Sequence, residues 1–353
     1  MLGLDARAFR ISWTVLLAAG LVSVLYLLRH ALLVFLLAVL FAYVIWPLVR
    51  VAEALWRRVW PSTGSARLLA LAVVYPVLIG VTVLIAVIWA PQITQQATAL
   101  FEKLRAFTNP AQRAELLERV TQTRGWSLPV FYAIRDLLRQ HAGEILPYLQ
   151  SGGAQLLRYL SNLWLVALVP ILAFFFVKDA ERLAAGVEEW FDQDHQRGFL
   201  RDLFTDLHDL LAQYMRAVMV LSLGTFASHA LFFFVIGLPY ALLLATLAGV
   251  LEFIPMVGPL SAGVVIVLAA WLAGYDHVLW VLIFLVAWRL IQDYVNMPWV
   301  LGSGVKLHPL LVIFGILAGA ELAGVAGMFL SAPVMAAVRI LLRLSLARAR
   351  AAP

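Results

Sequence analysis

Long apolar stretches separated by short charged segments dominate the hydrophobic pattern of this chain. A hydrocarbon core about 30 Å thick needs about 20 apolar helical residues to span it, and several stretches reach that length. The clearest are residues 11–28, 31–49, 68–90 and 156–177; residues 212–236 make a fifth and 278–295 a sixth with polar insertions. Two longer stretches, 238–273 and 307–342, are long enough to form helical hairpins. The pattern predicts an all-α, polytopic integral membrane protein with about eight membrane segments, including broken or re-entrant helices.

Composition places the chain in the same class. Hydrophobic residues make up 63% of the chain and charged residues 13%, whereas soluble domains carry roughly 25% charged residues. The formal charge of +6 comes from basic residues dispersed at the ends of apolar segments, which argues against a nucleic-acid partner. We therefore expect the lipid bilayer to be the principal partner.

The sequence carries no signature of a common enzyme class. It contains no cysteine, which excludes disulfides and cysteine-ligated metals. It also contains no His-Glu-x-x-His, Gly-x-Ser-x-Gly or Gly-x-x-x-x-Gly-Lys-Ser/Thr motif. We expect a protein that is not an enzyme, has no cofactor or metal site, and does not use ATP through a Walker-type loop.

Basic residues in the short flanking segments predict the orientation, because such residues favour the cytoplasmic side. They lie before the first apolar stretch, between the second and third, and at the C-terminal end: Arg7, Arg10, Arg50, Arg57, Arg58, Arg67, Arg339, Arg343, Arg348 and Arg350. Both termini are therefore expected in the cytoplasm, which requires an even number of crossings. The first stretch resembles a signal peptide, but without a clear small-residue cleavage site we interpret it as an uncleaved helix.

Two soluble pieces interrupt the membrane segments. Apolar residues at helical spacing predict an extracytoplasmic helical insertion at 92–153 and acidic, amphipathic cytoplasmic helices at 179–211. These exposed amphipathic helices make a homo-oligomer reasonable. The predicted organisation is N-terminal membrane helices at 1–91, the insertion at 92–153, a membrane helix at 154–178, the acidic helices at 179–211, a C-terminal membrane transport region at 212–342 and a basic cytoplasmic tail at 343–353.

Several runs of sequence carry a family resemblance. They are Val-Pro-Ile-Leu-Ala-Phe-Phe-Phe-Val-Lys-Asp at 169–179, the run from Gly-Leu-Pro-Tyr-Ala to Phe-Ile-Pro-Met-Val-Gly-Pro at 237–259, Leu-His-Pro-Leu-Leu-Val-Ile-Phe-Gly at 307–315, and Gly-Val-Ala-Gly-Met-Phe-Leu-Ser-Ala-Pro-Val at 324–334. Over nearly its whole length the chain resembles the autoinducer-2 exporter family of bacterial membrane transporters. The chain departs from the pattern at 214–218, Tyr-Met-Arg-Ala-Val, where many relatives have Arg-Gly-Gln.

The resemblance implies a multi-pass protein of the bacterial cytoplasmic (inner) membrane. The family name comes from export of a small furanosyl signalling molecule, and other members are assigned sodium/proton antiport. The resemblance therefore implies transport more firmly than it implies any one substrate.

Ionisable residues inside apolar segments are costly in lipid and usually functional. The candidates for transport and ion coupling are Glu252, Arg289, Asp293 and Glu321, and the candidate solute contacts are Gln292 and Asn296. Arg289 and Asp293 lie four residues apart on one helix face, where they can form an ion pair. In the functional interpretation, Glu252 carries a proton or a cation. In the alternative interpretation, Arg289 and Asp293 only neutralise each other while holding helices together.

Proline and glycine residues break the helices next to these carboxylates. The candidate break or gating positions are Pro255, Gly258, Pro259, Pro298, Pro309, Gly319, Gly324 and Gly327. Aligning Leu-Ala-Gly at 247–249 with Leu-Ala-Gly at 317–319 places Glu252 and Glu321 at nearly matching positions, as expected for paired interrupted helices in a transporter. Close helix packing without a transport role also explains the glycines.

These observations favour a secondary transporter that exports a small polar solute of the autoinducer-2 kind. Its expected coupling ions are protons or sodium, and its expected motion is a rearrangement of the broken helices around Glu252 and Asp293. Sodium/proton antiport is the alternative within transport. A membrane scaffold that binds partners through its exposed helices is the alternative from a different class.

Overall fold

The computed structural model of the chain describes residues 6–59, 66–108, 163–189, 194–301 and 308–351. Within these ranges the regular structure is helical throughout. In chain order the elements are α1 (Ala6–Leu27), α2 (Arg29–Val59), α3 (Ala66–Thr108), α4 (Leu163–Glu189), α5 (Asp194–Val235), α6 (Ala241–Leu251), α7 (Val257–Leu272), α8 (Val278–Ile291), a π-helix (Gln292–Asn296), α9 (Met297–Leu301) and α10 (Pro309–Ala351).

Among the described residues, five helical segments are long and apolar enough to cross a membrane. They are Arg29–Val59, Ala66–Arg105, Arg197–Val235, Val278–Trp299 and Leu310–Arg348, and shorter apolar helices accompany them. Many of their large apolar side chains are exposed on the surface of the protein, as expected when the surrounding solvent is lipid. The predicted fold class, an all-α polytopic membrane protein with broken helices, is confirmed.

Helices α2, α3 and α4 pack together in the N-terminal half. Their common core contains Ile45 from α2, Leu71 from α3 and Ala173 from α4, all of them fully buried. The hydroxyl of Tyr75 on α3 donates a hydrogen bond to the carbonyl of Pro170 on α4, at 3.0 Å. These three helices form a packed unit beside the broken helices of the C-terminal half.

Helices α6 and α7 form a hairpin, which we call hairpin 1. Helix α6 has 11 residues, so it rises about 16 Å, roughly half of a hydrocarbon core of about 30 Å. The arms touch at the tip, where a methyl group on Gly258 would lie 1.8 Å from the carbonyl oxygen of Leu251. Pro255 lies in the turn between the arms, and Met256 there has a positive φ of 62°. Hairpin 1 is therefore a pair of short apolar helices that starts and ends at the same end of the protein.

Helix α10 is also a hairpin, which we call hairpin 2. Its helical geometry breaks at Ala323 and at Gly324, whose φ of 60° and ψ of −139° suit glycine. A methyl group on Gly327 would lie 1.9 Å from the carbonyl oxygen of Gly319, although residues eight apart in a straight helix are separated by about 12 Å. The arms, 309–322 and 325–351, must therefore run back along each other.

The two hairpins enter from opposite ends of α5. The open end of hairpin 1 lies at the C-terminal end of α5, where Tyr275 donates a hydrogen bond to the carbonyl of Ile236 at 2.6 Å. The open end of hairpin 2 lies at the N-terminal end of α5, where Arg343 forms an ion pair with Asp206. Near the hairpin tips, the ring of Phe253 in hairpin 1 and the ring of Phe329 in hairpin 2 lie edge to face, with their centroids 5.6 Å apart.

The opposed entry sides give a cross-linking prediction that the cysteine-free sequence makes easy to test. We expect Asp206→Cys and Arg343→Cys to be joined by a short bis-maleimide in membranes, detected by mass spectrometry of the digested protein. The matched control pairs Asp206→Cys with Lys103→Cys. Lys103 lies near hairpin 1 and hydrogen-bonds the carbonyl of Ala273. Cross-linking in the control pair and not in the first pair would contradict opposed hairpins.

The predicted insertion at 92–153 falls mostly outside the described residues. Its first part is visible, because α3 continues without interruption through Pro91 to Thr108. There the side-chain oxygen of Gln96 accepts a hydrogen bond from the backbone N–H of Leu243, at 2.9 Å. Residues 109–153 lie outside the described residues, as do 190–193 of the predicted acidic helices. The extended α3 thus contacts the open end of hairpin 1.

Candidate functional site

One face of α5 is directed at hairpin 1. Ser222, Thr225 and His229 are buried and recur every three to four residues, which places them on one side of the helix. The Ser222 hydroxyl donates a hydrogen bond to the carbonyl of Gly249 on α6, at 2.7 Å. Gly249 allows this close approach, since a methyl group there would lie 2.9 Å from Cβ of Phe226. This face therefore fixes α6 against α5.

Thr225 joins three structural elements through its hydroxyl. The hydroxyl lies 3.2 Å from Oε2 of Glu252, 3.1 Å from Nε2 of Gln292 and 3.3 Å from Nε1 of Trp288. A threonine hydroxyl has one proton to donate and two lone pairs to accept with. Donation to the Glu252 carboxylate and acceptance from the two N–H groups use all three positions.

Glu252 lies at the tip of hairpin 1, as the C-terminal cap of α6. It is the only charged residue between positions 241 and 272. The charges of Arg289 and Asp293 act on its carboxylate, and Gln292 lies close enough to interact with it. An unpaired polar group in lipid costs roughly several kcal/mol. A carboxylate on a broken membrane helix therefore needs such partners.

A π-helical turn places the partners of Glu252. The turn covers Gln292–Asn296 between α8 and α9, and such insertions occur frequently at functional sites. Trp288 and Gln292 are four residues apart, and both contact Thr225. On the adjoining face, Arg289 binds Asp293 through two contacts, of 2.7 Å and 2.9 Å. The pair is half-exposed, so its guanidinium and carboxylate remain accessible at the edge of the site.

These side chains line one end of a cavity of about 780 Å³ between α5, hairpin 1 and α8. We call this end the polar corner; its residues are Thr225, Glu252, Trp288, Arg289 and Gln292. Most of the remaining lining is apolar and comes from α7 and α8. A concave site of this size, with a few convergent polar groups, fits a small molecule.

His229 lies one helical turn beyond Thr225 and also lines the cavity. Its Nδ1 lies 2.8 Å from the carbonyl oxygen of Thr225. Because a carbonyl only accepts, Nδ1 carries the proton. The ring also contacts Phe233, Phe284 and Trp288, so one nitrogen is held by the backbone while the ring forms part of an aromatic wall.

The structure brings together only some of the residues predicted from the sequence. Glu252, Arg289, Gln292 and Pro259 line the cavity. The others lie elsewhere: Asp293 pairs with Arg289, Asn296 ends the π-helix, Pro298 lies in α9, Pro309 starts α10, and Pro255, Gly258, Gly319, Gly324 and Gly327 shape the hairpin tips. Glu321 precedes the break in hairpin 2 and has an exposed side chain.

Sequence reasoning missed Thr225 and Trp288, which complete the polar corner. Thr225 is a single small polar residue in a long apolar helix, and such residues commonly hydrogen-bond between membrane helices. Its spacing from Ser222 and His229 was the available signal. Trp288 resembles an interfacial anchor by type, and only the fold shows that its N–H is directed at Thr225.

Replacing Thr225 with valine is expected to destabilise the packing of hairpin 1 against α5 and α8. Valine keeps the shape but removes the hydroxyl that Glu252, Gln292 and Trp288 share, and a hydrogen bond to a charged group is worth about 1.5–3 kcal/mol. Thr225→Ser keeps the hydroxyl and is the matched control. Thermal unfolding in detergent micelles measures the effect, and equal melting temperatures of the valine and serine variants would contradict the role of the hydroxyl.

Comparison with known proteins identifies the chain. A family profile described as "AI-2E family transporter" matches residues 14–346. The chain belongs to the AI-2E transporter family. This membership confirms the resemblance carried by the sequence motifs, and it covers α2 to α9, both hairpins and the polar corner.

Curated relatives cover most of the chain. It is 28% identical over 291 residues to the Bacillus subtilis protein named "Putative transport protein YrrI", covering 79% of this chain and 78% of the relative. It is 24% identical over 342 residues to the Escherichia coli K12 protein named "Putative permease PerM", covering 93% of this chain and 91% of the relative. These AI-2E relatives are named for membrane transport, not for catalysis, so the chain is a multi-pass membrane protein with a transport role.

Proposed function

We propose that this AI-2E protein is a secondary transporter in which Glu252 carries the coupled proton or sodium ion. The observation that supports this most is the position of Glu252, at the tip of a re-entrant hairpin and inside a cavity. Broken helices whose ends face a central site are typical of secondary transporters. Binding a cation and binding a proton are alternative ways to neutralise one carboxylate in lipid.

The remaining candidate residues take supporting roles in this proposal. Arg289 and Asp293 set the charge beside Glu252, and Gln292 and Asn296 offer polar contacts to the solute. The proline and glycine positions allow the hairpin tips to move, with Gly324 as the break in hairpin 2. Glu321 lies one turn from Gly324, where it can meet an ion that passes the tip of hairpin 2.

The solute and the direction of transport follow from the family resemblance. The first solute to test is a small polar molecule of the autoinducer-2 kind, moved out of the cell. The second candidate is sodium/proton antiport. It is favoured because the cavity lining contains one carboxylate, that of Glu252, which sodium and protons can bind alternately. The proposed setting is the bacterial cytoplasmic membrane with both termini in the cytoplasm, and self-association into a homo-oligomer belongs to the same proposal.

The contacts at the N-terminal end of α5 support a location of the predicted acidic helices and the basic tail on the same side of the membrane. Asp202 and Arg348 approach to 3.7 Å, and Arg348 also lies over the ring of Phe199, at 4.8 Å from its centroid. The predicted acidic helices and basic tail therefore meet on one side of the membrane helices. The excess of basic residues on that side supports its assignment to the cytoplasm.

The test is ion movement in liposomes that contain the purified full-length protein. We expect a sodium gradient to drive proton movement, followed by a pH-sensitive dye, and empty liposomes provide the baseline. If no ion moves without a solute, uptake of a furanosyl signalling molecule under each ion gradient is measured next. Failure of both assays would overturn the transporter proposal in favour of a membrane scaffold.

A further inference from the structure

Most of the cavity wall cannot hydrogen-bond to a solute. Outside the polar corner the lining consists largely of aliphatic side chains, such as Ile266 and Val267 of α7 and Leu282 and Leu285 of α8. A small polar solute placed against this wall would lose hydrogen bonds to water without replacing them. A sodium ion alone needs only a few oxygen ligands and far less than about 780 Å³. The volume and its lining therefore suit a molecule with an apolar body.

The cavity also reaches the outer surface between α7 and α8. Four of its lining residues have large exposed fractions: Leu260, Val264, Val286 and Leu290. Leu260 is 72% exposed and Leu290 52% exposed. Both side chains lie in membrane helices, where the exterior is hydrocarbon. The opening is thus accessible to a molecule dissolved in the bilayer.

The charges at the polar corner favour a cation. Within the corner, Glu252 and Arg289 carry opposite charges, and Asp293, which pairs with Arg289, adds a second carboxylate just outside it. From α5 the titratable group is His229, which adds positive charge only when both ring nitrogens are protonated. Hairpin 1 contributes no other charged residue between 241 and 272. With Glu252 ionised, the polar corner together with Asp293 carries a net charge of −1, from two carboxylates and one guanidinium.

We propose that the cavity binds an amphipathic organic cation that arrives from the bilayer. Its apolar body lies between α7 and α8, and its cationic head lies beside Glu252. The cation displaces a proton from Glu252 to water, and no covalent bond of the cation changes. This inference rests on the proposed function, because it uses Glu252 as the coupling carboxylate, and it replaces a small polar solute with an amphipathic one.

Tetraphenylphosphonium is a suitable probe, and its binding to the full-length protein in liposomes is measured by equilibrium dialysis. We expect saturable binding that weakens as the pH falls, because protons then occupy Glu252. Triphenylphosphine oxide, which is neutral, is expected to bind with no pH dependence. Glu252→Gln is expected to lose the pH dependence, whereas the exposed carboxylate variant Glu321→Gln keeps it.

Gly263→Leu separates the substrate class from the ion site. Gly263 lines the cavity, and an added Cβ there meets nothing within 4 Å, so a leucine side chain is expected to extend into the cavity. We expect its affinity for tetraphenylphosphonium to fall about tenfold or more, since the pocket volume is lost. Glu252 is unchanged in this variant, so the tetraphenylphosphonium that still binds is expected to show the pH dependence of the wild type.

The outcomes distinguish the two proposals. No saturable binding to the wild type, or equal binding to Gly263→Leu, would overturn the organic-cation inference, and ion-coupled flux in the same liposomes would then leave the transporter proposal standing. Failure of the wild type in both the ion-movement assay and the solute-uptake assay would overturn the transporter proposal itself. Saturable binding that keeps its pH dependence in Glu252→Gln would remove Glu252 from the cation site.

Discussion

Replacing Gly327 with alanine is expected to destabilise the folded protein by about 3 kcal/mol, at the upper end of the usual cost of overpacking. The added methyl group would lie 1.9 Å from the carbonyl oxygen of Gly319 and 3.1 Å from Cβ of Ala323. The closer neighbour is backbone, which cannot rotate away. The arms of hairpin 2 must therefore separate, which also exposes backbone groups to lipid.

The matched control is Gly263→Ala. Gly263 also lies inside an apolar helix, but an added methyl group there meets nothing within 4 Å. Alanine in a helix is more stable than glycine by about 0.5–1 kcal/mol, so this variant is expected to melt at the same or a slightly higher temperature. Thermal unfolding in detergent micelles compares the two. Equal melting temperatures would mean that the arms of hairpin 2 do not touch at Gly319 and Gly327.

Replacing Glu252 with glutamine is expected to reduce ion-coupled flux to the level of empty liposomes. Glutamine keeps the size of the side chain, and its carbonyl oxygen can still accept the hydrogen bond from Thr225. What it loses is the charge that a proton or cation neutralises. The variant should fold as well as the wild type, because Arg289 and Asp293 still pair with each other after the charge of Glu252 is removed.

Glu321→Gln is the matched control for this loss. Glu321 is also a carboxylate near a hairpin tip, but it is exposed and does not line the cavity. We expect flux through Glu321→Gln to be reduced less than flux through Glu252→Gln. Equal losses in both variants would indicate a pair of coupling carboxylates. Full activity of Glu252→Gln would contradict the assigned role.

The architecture could be predicted from the sequence because lipid imposes strong constraints on pattern. Apolar runs near 20 residues predict membrane helices, and proline and glycine positions such as Pro255 and Gly324 predict the breaks. The two Leu-Ala-Gly segments lie in the two hairpins, but their glycines make different contacts. Gly249 packs against α5, whereas Gly319 packs against the other arm of its own hairpin. A short local match could not show that difference.

The site was harder to predict because its members come from separate elements. Arg289 and Asp293 could be paired from their spacing of four residues alone. The contact between Thr225 and Glu252 joins residues 27 positions apart, and that between Thr225 and Gln292 joins residues 67 apart. No helical period relates such positions. The apolar cavity wall could not be predicted for another reason. The side chains of a membrane helix that face lipid, other helices or a cavity are all apolar, so the sequence does not distinguish them.

Proton release on sodium binding tests the central claim most directly. Purified protein in weakly buffered detergent solution is mixed with sodium, and a pH indicator counts the protons that leave. A cation that requires a deprotonated ligand displaces its proton, so we expect about one proton per wild-type chain and none from Glu252→Gln. Equal release from both proteins, or none from the wild type, would contradict the assignment of Glu252 as the residue that exchanges a proton for a cation.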